Sequence, residues 1–432
     1  MSDSDLFGAA AFDRPARTPT VPPPPGAPRL MRPDRHQVRF MPTSLEALLP
    51  EDHPARSIWA VVERLDLTAY EAEIDAREGH AGRPGIDPRI LMALWIYATS
   101  EGLGSARRIE RLESEHHAYQ WICGGVHVNH HALSDFRVQH REKLNQQFTD
   151  VLGVLTHQGL VDLARVAVDG MRIRASAGAA SYRREKSLKE CLKEARRQVE
   201  EVSRQADEAE EPPRQQAARK RAAQERCKRV EAALAALPAI QETKKNGEAR
   251  VSTTDPEARV MKMGDGGFRP AYNAQFATDV KTRVIVGVGV TNAGSDMGQI
   301  TPMLANIQKR TGYPPTDLLV DGGYAKKAGI EEAARQGVTV YAPVQKPKQE
   351  DVDPHQPKQG DSPSVAEWRQ RMGTEEAKEI YKGRAATAET TNADLKTHRG
   401  LDRLTVRGIP KVECVILWAA LTYNVLKLIS LG

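Results

Sequence analysis

The spacing of apolar residues divides the chain into a helical first part and a mixed second part. From about residue 44 to residue 155, apolar side chains recur three and four positions apart, as Ile58, Val62 and Leu65 do. That spacing places them on one face of a helix. The pattern therefore predicts a helical domain over 35–155.

Several of these predicted helices carry basic side chains beside the apolar face. Arg107 and Arg108 lie on one of them, and Arg137 and Arg141 lie on or beside another. Short helices with a basic face are typical of helical DNA-binding domains. We therefore predict that these four arginines contact DNA.

Short apolar runs alternate with helical stretches in the second part of the chain. Runs bounded by turn residues predict strands over 164–170, 272–278, 284–290, 318–324 and 338–343. Residues 279–282 are predicted to form the turn of a β-hairpin between the second and third of these strands. Helical spacing is found over 297–310, 325–336, 375–396 and 412–431, and a polar loop is predicted over 345–368. Three successive strands followed by alternating helices and strands is the order of an RNase H-like core. We predict an α/β fold with that core over 160–432.

A long charged stretch interrupts this predicted core. Residues 182–237 are rich in helix-forming residues, and the pair Pro212-Pro213 breaks the pattern once. We therefore predict a helical hairpin, inserted over 180–245 between the first and second strands. At the N-terminus, the Pro-rich composition of residues 1–34 buries too little apolar surface to fold, and it predicts a disordered arm.

Charge and cysteine content restrict the function only loosely. The 432 residues carry a formal net charge of +5, which permits a nucleic-acid partner without requiring one. Four scattered cysteines without C-x-x-C spacing favour a reducing cytosol over a disulfide framework or a zinc ribbon. Because no apolar run of about eighteen residues occurs, we expect no membrane span and a cytoplasmic location.

Two of the predicted strands end in the pair Asp-Gly, at Asp169 and at Asp321. If these strands are adjacent and parallel, their carboxyl ends lie together at the sheet edge where α/β proteins bind ligands. Two carboxylates so close repel each other unless a cation lies between them. Their hard oxygen atoms suit Mg²⁺ or Mn²⁺, and two such ions about 4 Å apart can serve phosphoryl transfer.

A polar helix face supplies a third carboxylate. At about 100° per residue, five polar side chains fall within an arc of roughly 140°, namely Tyr381, Arg384, Glu389, Asn392 and Lys396. Such a face is usually solvated surface. Beside two strand-end aspartates, its acid becomes a candidate metal ligand and its cations become candidate phosphate contacts.

A further acid, Asp296, follows Gly294-Ser295 and precedes a helix predicted to begin at Met297. Asp is one of the preferred residues at a helix N-cap, where its side chain accepts a hydrogen bond from a backbone N–H. We therefore expect Asp296 to cap that helix rather than to bind a ligand.

Together these stretches resemble bacterial insertion-sequence transposases of the DDE kind, in the group with a Tyr-Arg-Glu-Lys signature. The resemblance covers about residues 35–430. The stretches that carry it are 82–137, 166–170, 252–259, 272–275, 319–324 and 381–396.

The resemblance implies a metal-dependent enzyme that cleaves and joins DNA. Asp169, Asp321 and Glu389 would be the catalytic triad and would bind two Mg²⁺ ions, or Mn²⁺. Tyr381, Arg384 and Lys396 would contact double-stranded DNA near the scissile phosphate. The substrates would be the terminal inverted repeats of the element and a target DNA, held by a homodimer in the bacterial nucleoid.

The signature departs from the usual spacing at one point. Four residues separate Arg384 from Glu389, where the family has three. On a straight helix the extra residue rotates Glu389 by about 100° relative to Arg384. Either the helix is distorted near Arg384, or a different arginine fills that position in the signature.

Two other functions fit the same residues. One is an RNase H-like nuclease that cleaves without strand transfer. The other is a catalytically inactive relative of the transposases that acts as a DNA-binding protein. Strand joining distinguishes the transposase from the first, and cleavage distinguishes it from the second.

Overall fold

The computed structural model describes residues 43–76, 84–208, 212–244, 247–345 and 353–431. All of these except Thr43 belong to one compact unit, Ser44–Gly432. The arm predicted over 1–34 lies outside the described residues.

The first part of the chain is helical, as its apolar spacing predicts. Its helices are α1 (Pro54–Val62), α2 (Thr68–Glu71), α3 (Pro88–Ser100), α4 (Ala106–Glu115), α5 (His117–Cys123), α6 (His130–Gln139) and α7 (Arg141–His157). Local capping sets several of their starts. Before α3, for example, the Asp87 carboxylate accepts from the backbone N–H of Arg89 at 2.8 Å, and Pro88 occupies the first helical position.

The second part contains a mixed sheet. Its strands are β1 (Arg165–Arg174), β4 (Arg259–Lys262), β5 (Phe268–Asp279), β6 (Ile285–Thr291), β7 (Asp317–Val320) and β8 (Thr339–Tyr341), and a separate two-stranded sheet pairs β2 (Tyr182–Arg183) with β3 (Val251–Ser252). The main order is β4-β5-β1-β7-β8, with β6 also paired to β5. β5 is antiparallel to β1, β4 and β6, whereas β7 is parallel to β1 and to β8.

The turn predicted between β5 and β6 is confirmed, and one buried side chain holds it. The Asp279 carboxylate accepts from the backbone N–H groups of Lys281 at 3.0 Å and Thr282 at 2.9 Å. Its other oxygen accepts from the backbone of Leu163 at 3.3 Å. Asp279 therefore links this hairpin to the segment that directly precedes β1.

The remaining helices lie around the sheet. They are α10 (Ile300–Thr311), α11 (Lys327–Arg335), α12 (Pro363–Met372), α13 (Glu375–Arg384), α14 (Thr390–Thr397) and α15 (Ile409–Leu431). A loop was predicted over 345–368, and this is wrong for 363–368. That segment begins α12, which buries Val365 and Trp368 against the core.

The C-terminal helix α15 joins the helical part to the sheet. Trp418 packs against Trp95 of α3, and its indole N–H donates to the carbonyl of Arg137 at 3.1 Å. The Asn424 side chain pairs with the backbone N–H and carbonyl of Ile285 on β6, at 3.0 and 2.8 Å. One continuous buried cluster therefore extends from the N-terminal helices through α15 into the sheet.

By length and composition alone, α15 is also apolar enough to cross a membrane, and it is the one such helix among the described residues. In the fold, 67% of its most apolar stretch is buried inside the protein. Its apolarity is thus accounted for by packing in the core.

Two long helices extend from the strand pair β2–β3. They are α8 (Glu185–Glu208) and α9 (Pro213–Thr243), and they pack along each other. Leu188, Val230 and Leu237 belong to a small buried cluster of their own. Ion pairs such as that between Arg196 and Glu231, at 3.1 Å, lie along the exposed sides.

Candidate active site

Asp169 and Asp321 lie side by side at the edge of the sheet. In the parallel register of β1 and β7, Val168 is the partner of Val320; Asp169 is the next residue of β1, and Asp321 directly follows β7. The expectation that the first strand ends at Asp169 is wrong, because β1 continues to Arg174 in its pairing with β5. The Asp169 side chain is 20% exposed and that of Asp321 is 61% exposed. The adjacency expected from the two Asp-Gly pairs is therefore present, with one acid half-buried and the other open to solvent.

The guanidinium of Arg384 lies between three carboxylates. One of its nitrogens donates to Asp169 Oδ1 at 3.0 Å and lies 4.0 Å from Asp321 Oδ2. The other terminal nitrogen lies 3.8 Å from Glu389 Oε1. Burial lowers the pKa of Arg384, but the surrounding acidic groups, with Asp169 first among them, raise it above its ordinary value. Arg384 therefore offsets part of the negative charge of this acidic cluster.

A π-helical turn, Ala385–Glu389, brings Glu389 to this cluster. It lies between α13 and α14, and it takes up the additional residue that separates Arg384 from Glu389. Wider π turns of this kind occur mostly as single insertions in α-helices, often at functional sites. The helix distortion that the signature spacing left open is therefore present.

The Asp169 carboxylate accepts hydrogen bonds from Arg384 and from two further donors. Besides Arg384, the backbone N–H of Gly170 donates to Oδ1 at 3.0 Å, and the Asn392 side chain donates to Oδ2 at 3.1 Å. Burial nevertheless raises the pKa of Asp169, and the charges of Asp296 and Asp321 add to this effect. Asn392 was predicted on this helix face, but its contact with Asp169 could not be inferred from the sequence.

A buried polar network lies beneath Asp169. The Asp296 carboxylate accepts from Asn273 at 2.6 Å, from Gln275 at 2.8 Å and from Arg172 at 3.3 Å. The hydroxyl of Tyr324 donates to Gln275, and burial raises the pKa of that hydroxyl. The network thus joins β1, β5 and the short turn that follows Asp321.

The N-cap role expected for Asp296 is wrong. The helix α10 begins at Ile300 rather than at Met297, and the hydroxyl of Ser295 accepts from the Met297 backbone. The Asp296 side chain instead points toward Gly170, the residue next to Asp169. Its three donors lie on strands remote in sequence, so no local pattern could have shown this.

The predicted DNA contacts have different surroundings. Arg107 and Arg108 are exposed on α4. Arg141 pairs with Glu413 at 2.9 Å and with Glu142 at 2.7 Å. Lys396 is exposed at the end of α14, and Tyr381 is half-buried beside Arg384, with its pKa raised by burial.

Arg137 is committed to contacts within the protein. Its guanidinium lies 4.6 Å from the ring centroid of Trp95 and donates to the carbonyl of Gly104 at 2.6 Å. Burial lowers its pKa to about 10. Arg137 is therefore not among the DNA contacts that we propose, because its charge is used to bind two segments of the helical part.

The chemistry of this cluster suits a hard divalent cation, because carboxylate and amide oxygens are its preferred ligands. In the present arrangement, the charge of Arg384 opposes the charges of the three carboxylates. In the part of the chain that the structure describes, no group of three or more His, Cys, Asp or Glu side chains is spaced to hold a metal ion. A metal at this site would therefore require these side chains to rearrange.

Comparison with known proteins gives two family matches. Residues 242–425 match the model described as a transposase DDE domain, and residues 43–139 match a transposase domain (DUF772). Both matches support an insertion-sequence transposase. No curated protein and no solved structure matches the chain.

The transposase DDE match includes Asp321 and Glu389 but begins after Asp169. The pairing of β1 with β7 nevertheless brings Asp169 beside Asp321. The other match ends at the last residue of α6, Gln139. The helices α8 and α9 lie almost wholly between the two matched regions.

Proposed function

We propose that the chain is a DDE transposase of the Tyr-Arg-Glu-Lys group, with an RNase H-like core that cleaves and joins DNA. The observation that carries this proposal is the convergence of Asp169, Asp321 and Glu389 on the single guanidinium of Arg384. A fold gains little from gathering three carboxylates at a solvent-open sheet edge, because their charges repel. Such a cluster is typical of phosphoryl-transfer sites.

In this proposal the three carboxylates bind divalent metal, with Mg²⁺ as the expected ion and Mn²⁺ as a substitute. Bound metal would activate the attacking oxygen and stabilise the leaving oxygen. Asn392 and the Gly170 backbone hold the half-buried Asp169 in place. Arg384 offsets part of the carboxylate charge and would contact a phosphate oxygen of the substrate.

The DNA substrates that we propose are the terminal inverted repeats of an insertion sequence and a target duplex. Exposed cations suit contacts with phosphates, and Arg107, Arg108 and Lys396 are exposed. Arg141 could exchange its exposed carboxylate partners for phosphate, since surface ion pairs contribute little. A homodimer would hold the two element ends together.

The test is cleavage and joining on a plasmid that carries both ends of the DNA element encoding the chain. With Mg²⁺ or Mn²⁺, the full chain is expected to cut at the ends and to join them to a target plasmid. Asp321→Asn should lose both steps, whereas Asp162→Asn, which alters an exposed carboxylate in the loop before β1, should retain them.

The other outcomes of this test assign other functions. Cleavage at the ends without joining would indicate an RNase H-like nuclease. Specific binding without cleavage would indicate an inactive, DNA-binding relative, for which the guanidinium at the centre of the cluster would be the structural reason.

A further inference from the structure

A cleft of about 470 Å³ extends from the acidic cluster along β1. Asn392, which contacts Asp169, lines the near end of this cleft. Lys396 lies one helical turn further along α14 and lines it as well. The cleft and the acidic cluster are therefore directly connected.

Cations dominate the lining of this cleft. They are Arg172, Arg174, Arg269 and Lys396, and two lining carboxylates, Asp265 and Asp402, oppose them. Arg172 and Arg174 are two positions apart on β1, so they project on the same side of the strand. The cleft thus has a net positive charge beside a site whose own charge is negative.

Two arginines of the cleft are paired with carboxylates that a phosphate can readily replace, whereas Arg172 is paired with the largely buried Asp296. Arg269 pairs with Asp265 at 2.7 Å, and Arg174 pairs with Asp402. The acids of these two pairs are 59% and 50% exposed. Exposed ion pairs of this kind contribute little to stability, typically about 0–1 kcal/mol. A phosphate could replace either carboxylate, and guanidinium binds phosphate in a bidentate geometry.

We propose that this cleft binds the sugar-phosphate backbone of the DNA strand that leads away from the reacting phosphate. The inference rests on the proposed function and extends it. Arg174, Arg269 and Lys396 follow the strand backbone independently of base sequence, and they orient the strand end toward Asp169. The loop between β4 and β5, which contains Asp265, forms one wall.

The test compares two pairs of arginines in the full chain. Arg174→Gln with Arg269→Gln removes two cleft cations. The matched control, Arg165→Gln with Arg335→Gln, removes two exposed cations that also pair with carboxylates but lie outside the cleft. Arg165 is on the same strand as Arg174 and is 47% exposed, against 42%. Circular dichroism checks that every variant is folded.

Binding to a mixed-sequence DNA duplex is measured by fluorescence anisotropy over a range of salt concentrations, in EDTA. Each lost phosphate contact reduces the slope of log affinity against log salt by about 0.9. We expect the cleft variant to lose roughly one to two units of slope and the control to lose none. Equal slopes in the two variants would overturn the inference, as would a loss seen with an RNA duplex and not with DNA.

A crosslink locates the contact. With p-benzoylphenylalanine in place of Asp265, ultraviolet light should join the chain to the DNA, whereas the same substitution at Glu332, which is on α11, should not. Absence of a crosslink at 265 would contradict the inference. Because neither measurement requires cleavage, failure of the proposed catalysis would leave both results interpretable.

Discussion

A guanidinium nitrogen of Arg384 lies 3.8 Å from a carboxylate oxygen of Glu389, although the two residues are five positions apart. On an α-helix, residues four apart face the same way and a fifth position is rotated by about 100°. The π turn Ala385–Glu389 removes that rotation. The helix that carries the third acid thus holds one extra residue without changing the direction of its polar face.

Deleting one exposed residue from this turn should therefore be tolerated. Without Ala386, which is exposed, the turn can become α-helical, and Glu389 stays on the face of Arg384. We expect the deletion variant to keep metal-dependent DNA cleavage within about tenfold of the wild type. Insertion of an alanine after Ala386 should abolish cleavage, since Glu389 would then rotate by about 100°. An equal loss of cleavage in both variants would show that the π turn does more than keep Glu389 on the same helix face as Arg384.

Two glycines near the paired aspartates, Gly170 and Gly323, should differ sharply in their tolerance of alanine. A Cβ on Gly170 would overlap Asp296 Oδ1 and lie 2.5 Å from Gln275 Nε2. Gly170→Ala should therefore destabilise the fold by about 1–3 kcal/mol, measured by urea unfolding. In Gly323→Ala the new Cβ meets no described atom within 4 Å, and the change should stay within about 0.5 kcal/mol. Similar unfolding midpoints for the two variants would refute this account of Gly170.

Asp296→Asn should alter both stability and the pH dependence of cleavage. An Asn amide cannot accept from Asn273, Gln275 and Arg172 as the carboxylate does, so we expect a cost of about 1–3 kcal/mol. The Asp296 charge also raises the pKa of Asp169. Its removal should lower that pKa and move the acidic limb of the rate profile to lower pH.

The control for Asp296 is Asp317→Asn. The two side chains are 17% and 15% exposed, and each pairs with an arginine on β1 at 3.3 Å. Asp317 lies at the opposite end of β7 from Asp321 and should leave the rate profile unmoved. A shift of the acidic limb to higher pH in Asp296→Asn would contradict the electrostatic argument.

Asp169→Asn should reduce catalysis without reducing the stability of the fold at neutral pH. Cleavage should fall by on the order of 10³-fold or more, because a ligand of the proposed metals is lost. Burial raises the folded pKa of Asp169 above its unfolded value, so the ionised form costs stability at neutral pH. The variant should therefore be at least as stable as the wild type at pH 7, and the difference should vanish below about pH 4. Thermal unfolding of both proteins is measured across this pH range. If the stability of the variant relative to the wild type were lower at pH 7 than at pH 4, the argument from the raised pKa of Asp169 would be wrong.

The sequence predicts those parts of the fold whose signals are local. The period of the strands, the two Asp-Gly pairs beside the parallel stretch of β1 and β7, and the turn at Asp279 each depend on a few neighbouring residues, and the structure has them. The position of the Asp296 side chain against Gly170 is set instead by pairing between β1 and β5, whose partners are about a hundred positions apart. No pattern within one segment contains that information.

The helical part shows a second limit of prediction from sequence, which concerns the residues that pack on each helix. Its apolar spacing indicates helices correctly but does not show what covers them. Trp418, from the far end of the chain, packs between Trp95 and Phe136. A fragment that ended before β1 would leave this apolar face exposed, so its core is completed only by the C-terminal helix.

The measurement that tests the central claim most directly is cleavage and joining by Glu389→Gln beside the wild type and Glu379→Gln. The side chains of Glu389 and Glu379 are similarly exposed, at 65% and 72%, but Glu379 pairs with Lys382 away from the cluster. With Mg²⁺ or Mn²⁺, the account predicts cleavage and joining by the wild type and by Glu379→Gln, and neither step by Glu389→Gln. Undiminished cleavage by Glu389→Gln would contradict the assignment of three carboxylates to one catalytic centre.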